Sequence, residues 1–296
     1  MNLDLSFFSP EEELHDKLFI NKNIKVFIKR DDNIHPFISG NKWRKLKYNL
    51  LDAQSKGIHQ LVTFGGAWSN HLIATAAAGA KFSFKTIGIV RGDEVENPCL
   101  SLCKVYGMKL IFISRTEYQS KREYFINNFN ENSSYFIDEG GRSDLGIKGC
   151  SEMIDELKNT YSDIFTASGT GTTVAGFYKG VQNNNLKTKI HSIPVLKGAE
   201  FLYDDLKSWG IPNNKINIHL DYHFGGYAKI KTPLIQFIKS FVSKTGILIE
   251  PTYTGKMLYG FYDLVEKDYF PNGSNILLVH TGGLTGILGQ LPHFNV

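Results

Sequence analysis

The chain has 296 residues, 42% of them apolar and 21% charged, which is ordinary for a globular protein and long enough for about two domains. Its net charge of +4 is spread along the chain without a basic block, so nothing favours nucleic acid as a partner. No run approaches the roughly 18 apolar residues of a membrane span, and Pro10-Glu11-Glu12-Glu13 lacks the basic-then-apolar character of a secretory signal.

Apolar β-rich runs alternate with helical patterns. The spacing predicts a strand at 24–28, a helix over 41–54, a strand at 60–64 and an alanine-rich helix over 70–80. A strand at 86–90, a helix at 98–106 and a strand at 109–113 follow, then a polar helix over 117–128, a strand at 135–137 and a helix over 147–158. The second half reads as strand 163–167, helix 172–181, strand 189–195, helices near 199–209, 233–245 and 255–267, and strand 275–280. This alternation predicts an α/β fold with mostly parallel sheets. In such sheets ligands sit at the carboxyl ends of the strands, so the glycine-rich strand-to-helix junctions are where chemistry is sought.

Three cysteines, Cys99, Cys103 and Cys150, form an odd, low count that fits reduced thiols in a reducing compartment, the cytoplasm. Cys99 and Cys103 share a helix face, but no histidine joins them at ligand spacing. Buried inert thiols are expected, not a metal site.

Three junctions carry candidate chemistry. Ser39-Gly40-Asn41-Lys42-Trp43-Arg44-Lys45-Leu46 places Lys42 at the mouth of a helix. A lysine amine is a nucleophile only when its charge is disfavoured; burial and the nearby cations Arg44 and Lys45 would do that. Lys45, three residues on, lies on about the same face. Taken alone, this basic stretch reads equally as a solvated helix face. Gly65-Gly66-Ala67-Trp68-Ser69-Asn70-His71 follows a strand, with Ser69 or Asn70 either a simple helix cap or a ligand contact. Ser168-Gly169-Thr170-Gly171-Thr172-Thr173 opens another helix, where tight-turning backbone amides and the helix N-terminus suit a phosphate or serve as a plain cap. It matches neither the dinucleotide fingerprint nor the Walker loop.

As a set, these segments resemble the fold type II pyridoxal-phosphate (PLP) enzymes, the tryptophan synthase β-like family. Within it they are similar to the branch of 1-aminocyclopropane-1-carboxylate (ACC) deaminase and D-cysteine desulfhydrase. Further matching segments are Lys29-Arg30-Asp31-Asp32, Glu139-Gly140-Gly141, Pro251-Thr252-Tyr253-Thr254-Gly255-Lys256 and His280-Thr281-Gly282-Gly283, all in the family's order. The resemblance implies that Lys42 holds PLP as a Schiff base. It implies that Lys45, Thr170, Gly171, Thr172 and Thr173 bind the phosphate, and that Asn70 meets the ring hydroxyl. Ser69 would face the substrate carboxylate and help move protons, with Asn70 and His71 beside it. Tyr227 and Tyr253 would bracket the substrate, and Thr254 and Thr281 would flank the cofactor. The implied architecture is two open, twisted, mostly parallel sheet domains with helices on both faces and PLP in the cleft. Residues 50–150 would form a small domain inserted into a large one of 1–49 and 151–296. A homodimer is the family tendency.

Within the branch, the deaminase pattern has a glutamate where this chain has Thr254, reaching the ring nitrogen, and a leucine where it has Thr281. These departures, with His71 after Ser69-Asn70, resemble the desulfhydrase. The implied reaction is β-elimination from a small D-amino acid, D-cysteine first, with ACC deamination as the alternative and a non-catalytic PLP-binding protein as the alternative of another class. Trp68 departs from both patterns and leaves the substrate open.

Overall fold

The computed structural model describes residues 7–294. Its strands and α-helices follow in the order β1 (Glu11–Glu13), α1 (Lys17–Asn21), β2 (Lys25–Lys29), α2 (Gly40–Ser55), β3 (Gln60–Gly65), α3 (Asn70–Lys81), β4 (Lys85–Arg91), α4 (Pro98–Val105), β5 (Lys109–Ile113), α5 (Lys121–Asn128), β6 (Ser134–Ile137), α6 (Asp144–Asp155), β7 (Asp163–Ser168), α7 (Thr172–Asn183), β8 (Lys189–Pro194), α8 (Phe201–Ser208), β9 (Ile216–Ile218), α9 (Thr232–Thr245), α10 (Thr254–Glu266) and β10 (Asn275–Val279).

These strands form two sheets, one of six in the order β1-β2-β10-β7-β8-β9 and one of four in the order β5-β4-β3-β6. Every pairing is parallel except β1 with β2. Parallel sheets are covered on both faces, so their strands are apolar throughout rather than alternating; all six residues of β7 are buried. In β10, Leu278 packs into one core with Phe165, Met257 and Phe261. Its neighbours Leu277 and Val279 point the other way, onto Val174 and Phe177 of α7, as a two-residue period requires. The smaller sheet repeats the scheme: Leu61 joins Trp43, Leu46 and Ala74 on one face, while Val62 and Phe64 join Tyr118 and Phe125 on the other.

Helix α2 ties the two halves together. Trp43, Leu46, Leu50 and Ala53 pack toward the small sheet. On its other side Arg44 makes paired bonds to Asp31 (2.7 and 2.8 Å) and Glu156 (2.7 and 2.8 Å). Asp31 follows β2 and Glu156 ends α6, so the helix start is anchored to the six-stranded half. Lys42 and Lys45 flank the Trp43-Arg44 pair.

The expected strands appear within a residue or two of their predicted limits. Three short elements were not anticipated: β1, α1 and β9. Strand β1 is Glu-Glu-Glu, a sequence of low strand preference, held by its antiparallel register on β2 and by the Arg30–Glu12 pair at 2.8 Å. The helix expected over 117–128 is broken, a 3-10 turn at Glu117–Ser120 preceding α5. Helix α6 starts at Asp144 and not 147, because the Ser143 hydroxyl accepts the Gly146 amide at 2.9 Å and begins the helix one turn earlier.

Candidate active site

The carboxyl ends of β3 and β7 open into one cavity of about 790 Å³, closed by the start of α2, the Glu139–Gly141 turn, Tyr227, Tyr253 and residues 281–283. The structure brings Lys42, Lys45, Ser69, Asn70 and His71 together on its wall with Thr170, Gly171 and Thr173. Tyr227, Tyr253 and Thr281 join them. Of the residues singled out by sequence, Thr172 and Thr254 are not on the wall.

Helix α2 enters the cavity through a close backbone contact. Gly40 has φ +53°, and a Cβ there would overlap the Thr281 carbonyl oxygen; only glycine permits this approach. The Asn41 amide donates to that same carbonyl at 3.2 Å, and the helix then presents Lys42. Burial pushes the Lys42 amine well below its ordinary value of 10.5, and the Lys45 charge pushes it further the same way. Arg44 does not contribute as expected, because Asp31 and Glu156 already neutralise it. Lys45 is 3% exposed, and among the described residues it has no ion pair. Burial lowers its pKa too. A buried cation without a counter-charge is costly, so Lys45 marks the place of an anion.

That place adjoins the start of α7. Gly171, in the left-handed region at φ +74°, occupies the cap position and supplies no side-chain hydrogen bond to the helix. The first amides of α7 are thus left for another acceptor. Thr173 Oγ1 accepts from the Asn41 side chain at 3.0 Å, and Thr170 and Thr172 hydroxyls bond each other at 3.1 Å. Thr172 is fully buried and shapes the loop from behind.

At the β3–α3 junction, Ser69 Oγ accepts the Leu72 amide at 3.3 Å and caps α3. Asn70 Oδ1 accepts from the Thr285 hydroxyl at 3.1 Å, which leaves its amide group to donate. His71 is 2% exposed and its Nε2 meets Thr63 Oγ1 at 2.8 Å. Thr63 in turn donates to the Ile137 carbonyl at 2.9 Å. With that proton committed, His71 carries its own proton on Nε2. Nδ1 is buried without a partner and presents a bare lone pair. Burial first, then Lys42 and Lys45, hold the ring well below its ordinary 6.5, so it is neutral.

Tyr227 and Tyr253 face each other edge-to-face, centroids 5.9 Å apart. Burial raises both phenols, most strongly Tyr253, where Tyr227 adds to the effect. Both stay protonated at neutral pH. Thr254 does not reach the cavity wall. It is fully buried, and its hydroxyl accepts the Glu250 amide at 3.1 Å. The adjacent helix start binds it inward: Glu250 accepts the amides of Thr252, Tyr253 and Thr254 at 2.6, 2.7 and 2.8 Å. Glu250 is nearly inaccessible and is drawn into capping α10 rather than into the cavity.

Sequence reasoning passed over Asn41, Thr285 and Gly140. A Cβ on Gly140 would stand 3.2 Å from the Thr170 methyl and 4.0 Å from Lys42 Nζ, filling the space between the amine and the α7 loop. The Glu139-Gly140-Gly141 segment gave a signal for it; Asn41 and Thr285 act only across long sequence separations and gave none.

An uncharged-leaning amine, a buried unpaired lysine, an uncapped helix start and an orphan histidine lone pair all converge on one void. They fit a cofactor that bears an aldehyde at one end and a phosphate at the other. Fold and site together fit an α/β enzyme that uses such a cofactor. Residues 14–282 match the model of the family described as "Pyridoxal-phosphate dependent enzyme", and the chain belongs to that family. It is 31% identical to the mitochondrial bifunctional D-cysteine desulfhydrase/1-aminocyclopropane-1-carboxylate deaminase of Arabidopsis thaliana, over 90% of this chain and 74% of that one. Identity to a D-cysteine desulfhydrase of Salmonella newport is 26%, over 91% and 90% of the two chains. A crystal structure of an ACC deaminase homologue superposes with a TM-score of 0.85 at 28% identity, covering 98% and 94%. The protein is thus a PLP-dependent enzyme with an ACC deaminase-like fold.

Proposed function

We propose that the enzyme is a lyase that eliminates the β-substituent of a small D-amino acid, with D-cysteine as the first candidate. The net reaction is D-cysteine and water to pyruvate, ammonia and hydrogen sulfide. The observation that carries this reading is the state of the cavity's carboxylates. Asp138 and Glu139 lie 3.8 Å from Lys121, and Asp205 is paired with Arg142 at 2.6 Å. Glu250 is occupied with backbone amides. The position that carries a glutamate in the deaminase pattern is Thr254 here, which offers no carboxylate to reinforce the electron sink that opening a strained ring without an α-hydrogen demands.

Bound in this cavity, PLP supplies an electron sink for bonds broken at the substrate's α-carbon. Lys42 would hold it, and when the substrate amine takes its place the freed amine, its pKa depressed by burial and Lys45, would be the base for the α-proton. Lys45 and the first amides of α7 hold the phosphate, with Thr170 and Thr173 beside them. Asn70, oriented by Thr285, donates to the ring hydroxyl. Ser69, at the start of α3, receives the substrate carboxylate. His71, held neutral, lines the wall beside Ser69 and Asn70. Tyr227 and Tyr253 bracket the substrate, and Thr281 closes the wall behind it. The small domain proposed for 50–150 carries Ser69 to His71, and the remainder carries Lys42, Lys45 and the α7 loop.

The Arabidopsis relative's double name supports a second reading, ACC deamination to 2-oxobutanoate. Pyruvate and sulfide release, measured over D-cysteine, L-cysteine, D-serine and ACC, separates the two, with Lys42→Ala as control. Turnover of ACC alone overturns the elimination. A protein that binds PLP yet exchanges no α-proton in deuterated water is a binding module instead. The three cysteines are free and buried, which supports a reducing, cytoplasmic setting. No described helix is long and apolar enough to cross a membrane.

A further inference from the structure

Lys256 sits in the first turn of α10 with none of its surface exposed. Among the described residues its ammonium forms no ion pair. It donates instead to three main-chain carbonyls: Gly226 at 2.7 Å, His223 at 2.9 Å and Val195 at 3.5 Å. Burial lowers its pKa to about 8, with Glu250 opposing, so the group is mostly charged at neutral pH. A buried ammonium satisfied by carbonyls alone is a tethered cation, and it pulls together whatever backbone surrounds it.

What surrounds it is a strained loop. Phe224 and Ala228, neither of them glycine, have φ of +55° and +53°, on either side of Gly225 and Gly226 at +103° and +122°. Such conformations persist only where neighbouring structure over-determines them. The loop's next residue after the bonded Gly226 carbonyl is Tyr227, whose ring meets Tyr253 on the cavity wall. The same helix start that carries Tyr253 therefore also carries the charge that fixes Tyr227.

We propose that Lys256 is a positioning residue: its ammonium, caged by the Val195, His223 and Gly226 carbonyls, locks the 223–228 loop so that Tyr227 stands opposite Tyr253. The inference rests on the tyrosine pair bracketing the substrate. It adds a residue that never touches the substrate but sets the width of its slot.

The test is Lys256→Met, which keeps the aliphatic stem and removes the charge, made in the holoenzyme. The visible band of the bound cofactor stays, because Lys42 is untouched. Amide exchange over 222–228 accelerates at least about ten-fold, while exchange in β7 does not change. For D-cysteine, kcat/KM falls at least about ten-fold. In a Tyr227→Ala background the same substitution costs less than about two-fold, as a shared path requires. Unchanged exchange in 222–228 overturns the proposal, and so does a full loss that persists without Tyr227. Lys256→Leu, which has neither charge nor donor, replaces the methionine variant if that does not fold, and the same two results overturn it. If the wild type turns over no amino acid, the elimination reading falls, and the exchange result alone decides whether the ammonium holds the loop.

Discussion

Helices α3 and α7 both begin where a parallel strand ends at the cavity, yet they end their backbone chains differently. Helix α3 caps itself: Ser69 accepts the Leu72 amide. Helix α7 has Gly171 at the same position and no side-chain acceptor, with the unpaired Lys45 nearby on the same wall. At the first junction a side chain of the helix itself takes one of the free amides. At the second no side chain does so, and an anion is proposed to take that place. On the proposed reading, one fold divides its two cleft loops into a substrate reader and a phosphate holder.

The comparison breaks most visibly at Lys42, which serves both loops. Lys42→Ala should remove the visible cofactor band and lower turnover by about 10³-fold or more, read by absorbance and pyruvate release. Next in size is Lys45→Met, which acts on the anion side alone. Cofactor affinity should fall about 10- to 100-fold in an equilibrium titration. The apo-protein should gain stability, its melting temperature rising by about 2–4 °C, because an uncompensated buried charge is gone. A loss of apo stability would mean that Lys45 already has a counter-charge.

The pH dependence of the apo-protein sharpens the same point. Lys42 and Lys45 have folded pKa values below the ordinary 10.5, so between those values and 10.5 the unfolded chain binds more protons than the folded one. Stability should therefore rise with pH across that alkaline window and stay at its lower level below it. Lys45→Met should flatten the slope in thermal melts; an unchanged slope would remove Lys45 from the account. The smallest effect belongs to the self-capped junction. Ser69→Ala should cost about 1 kcal/mol of stability in denaturant titration, in apo- and holo-protein alike, whereas the α7 junction is stabilised only by cofactor.

Much of this was readable in the sequence, because parallel strands and their helices announce themselves by period and by the glycines between them. Lys42, Lys45, the Thr170 loop and Tyr253 were found by local pattern joined to resemblance. What stayed hidden depends on partners far along the chain. Thr285 orients Asn70 from 215 residues away, and Asn41 reaches Thr173 across 132. Thr254 was placed beside the ring by resemblance, at the position of a glutamate in the deaminase pattern, but one step beyond Tyr253 along the helix start turns the side chain by about 100°, here toward Glu250. Arg44 looked like a second pressure on Lys42 until Asp31 and Glu156 were seen to absorb its charge. Strand β1, three glutamates long, carries no propensity that a local pattern can detect.

The strand order of the larger sheet has a consequence for synthesis. Strand β10, last of the ten in chain order, lies in the interior between β2 and β7. A growing polypeptide has the four strands β3–β6 of the smaller sheet in hand by residue 137, and these pair without help from the rest. The N-terminal strands must wait for the final tenth of the chain before their missing neighbour emerges. The cleft is therefore assembled late, with residues 281–283 following directly behind that strand. A ribosome-stalled chain ending before 275 should hold an ordered small sheet and no grip on the cofactor.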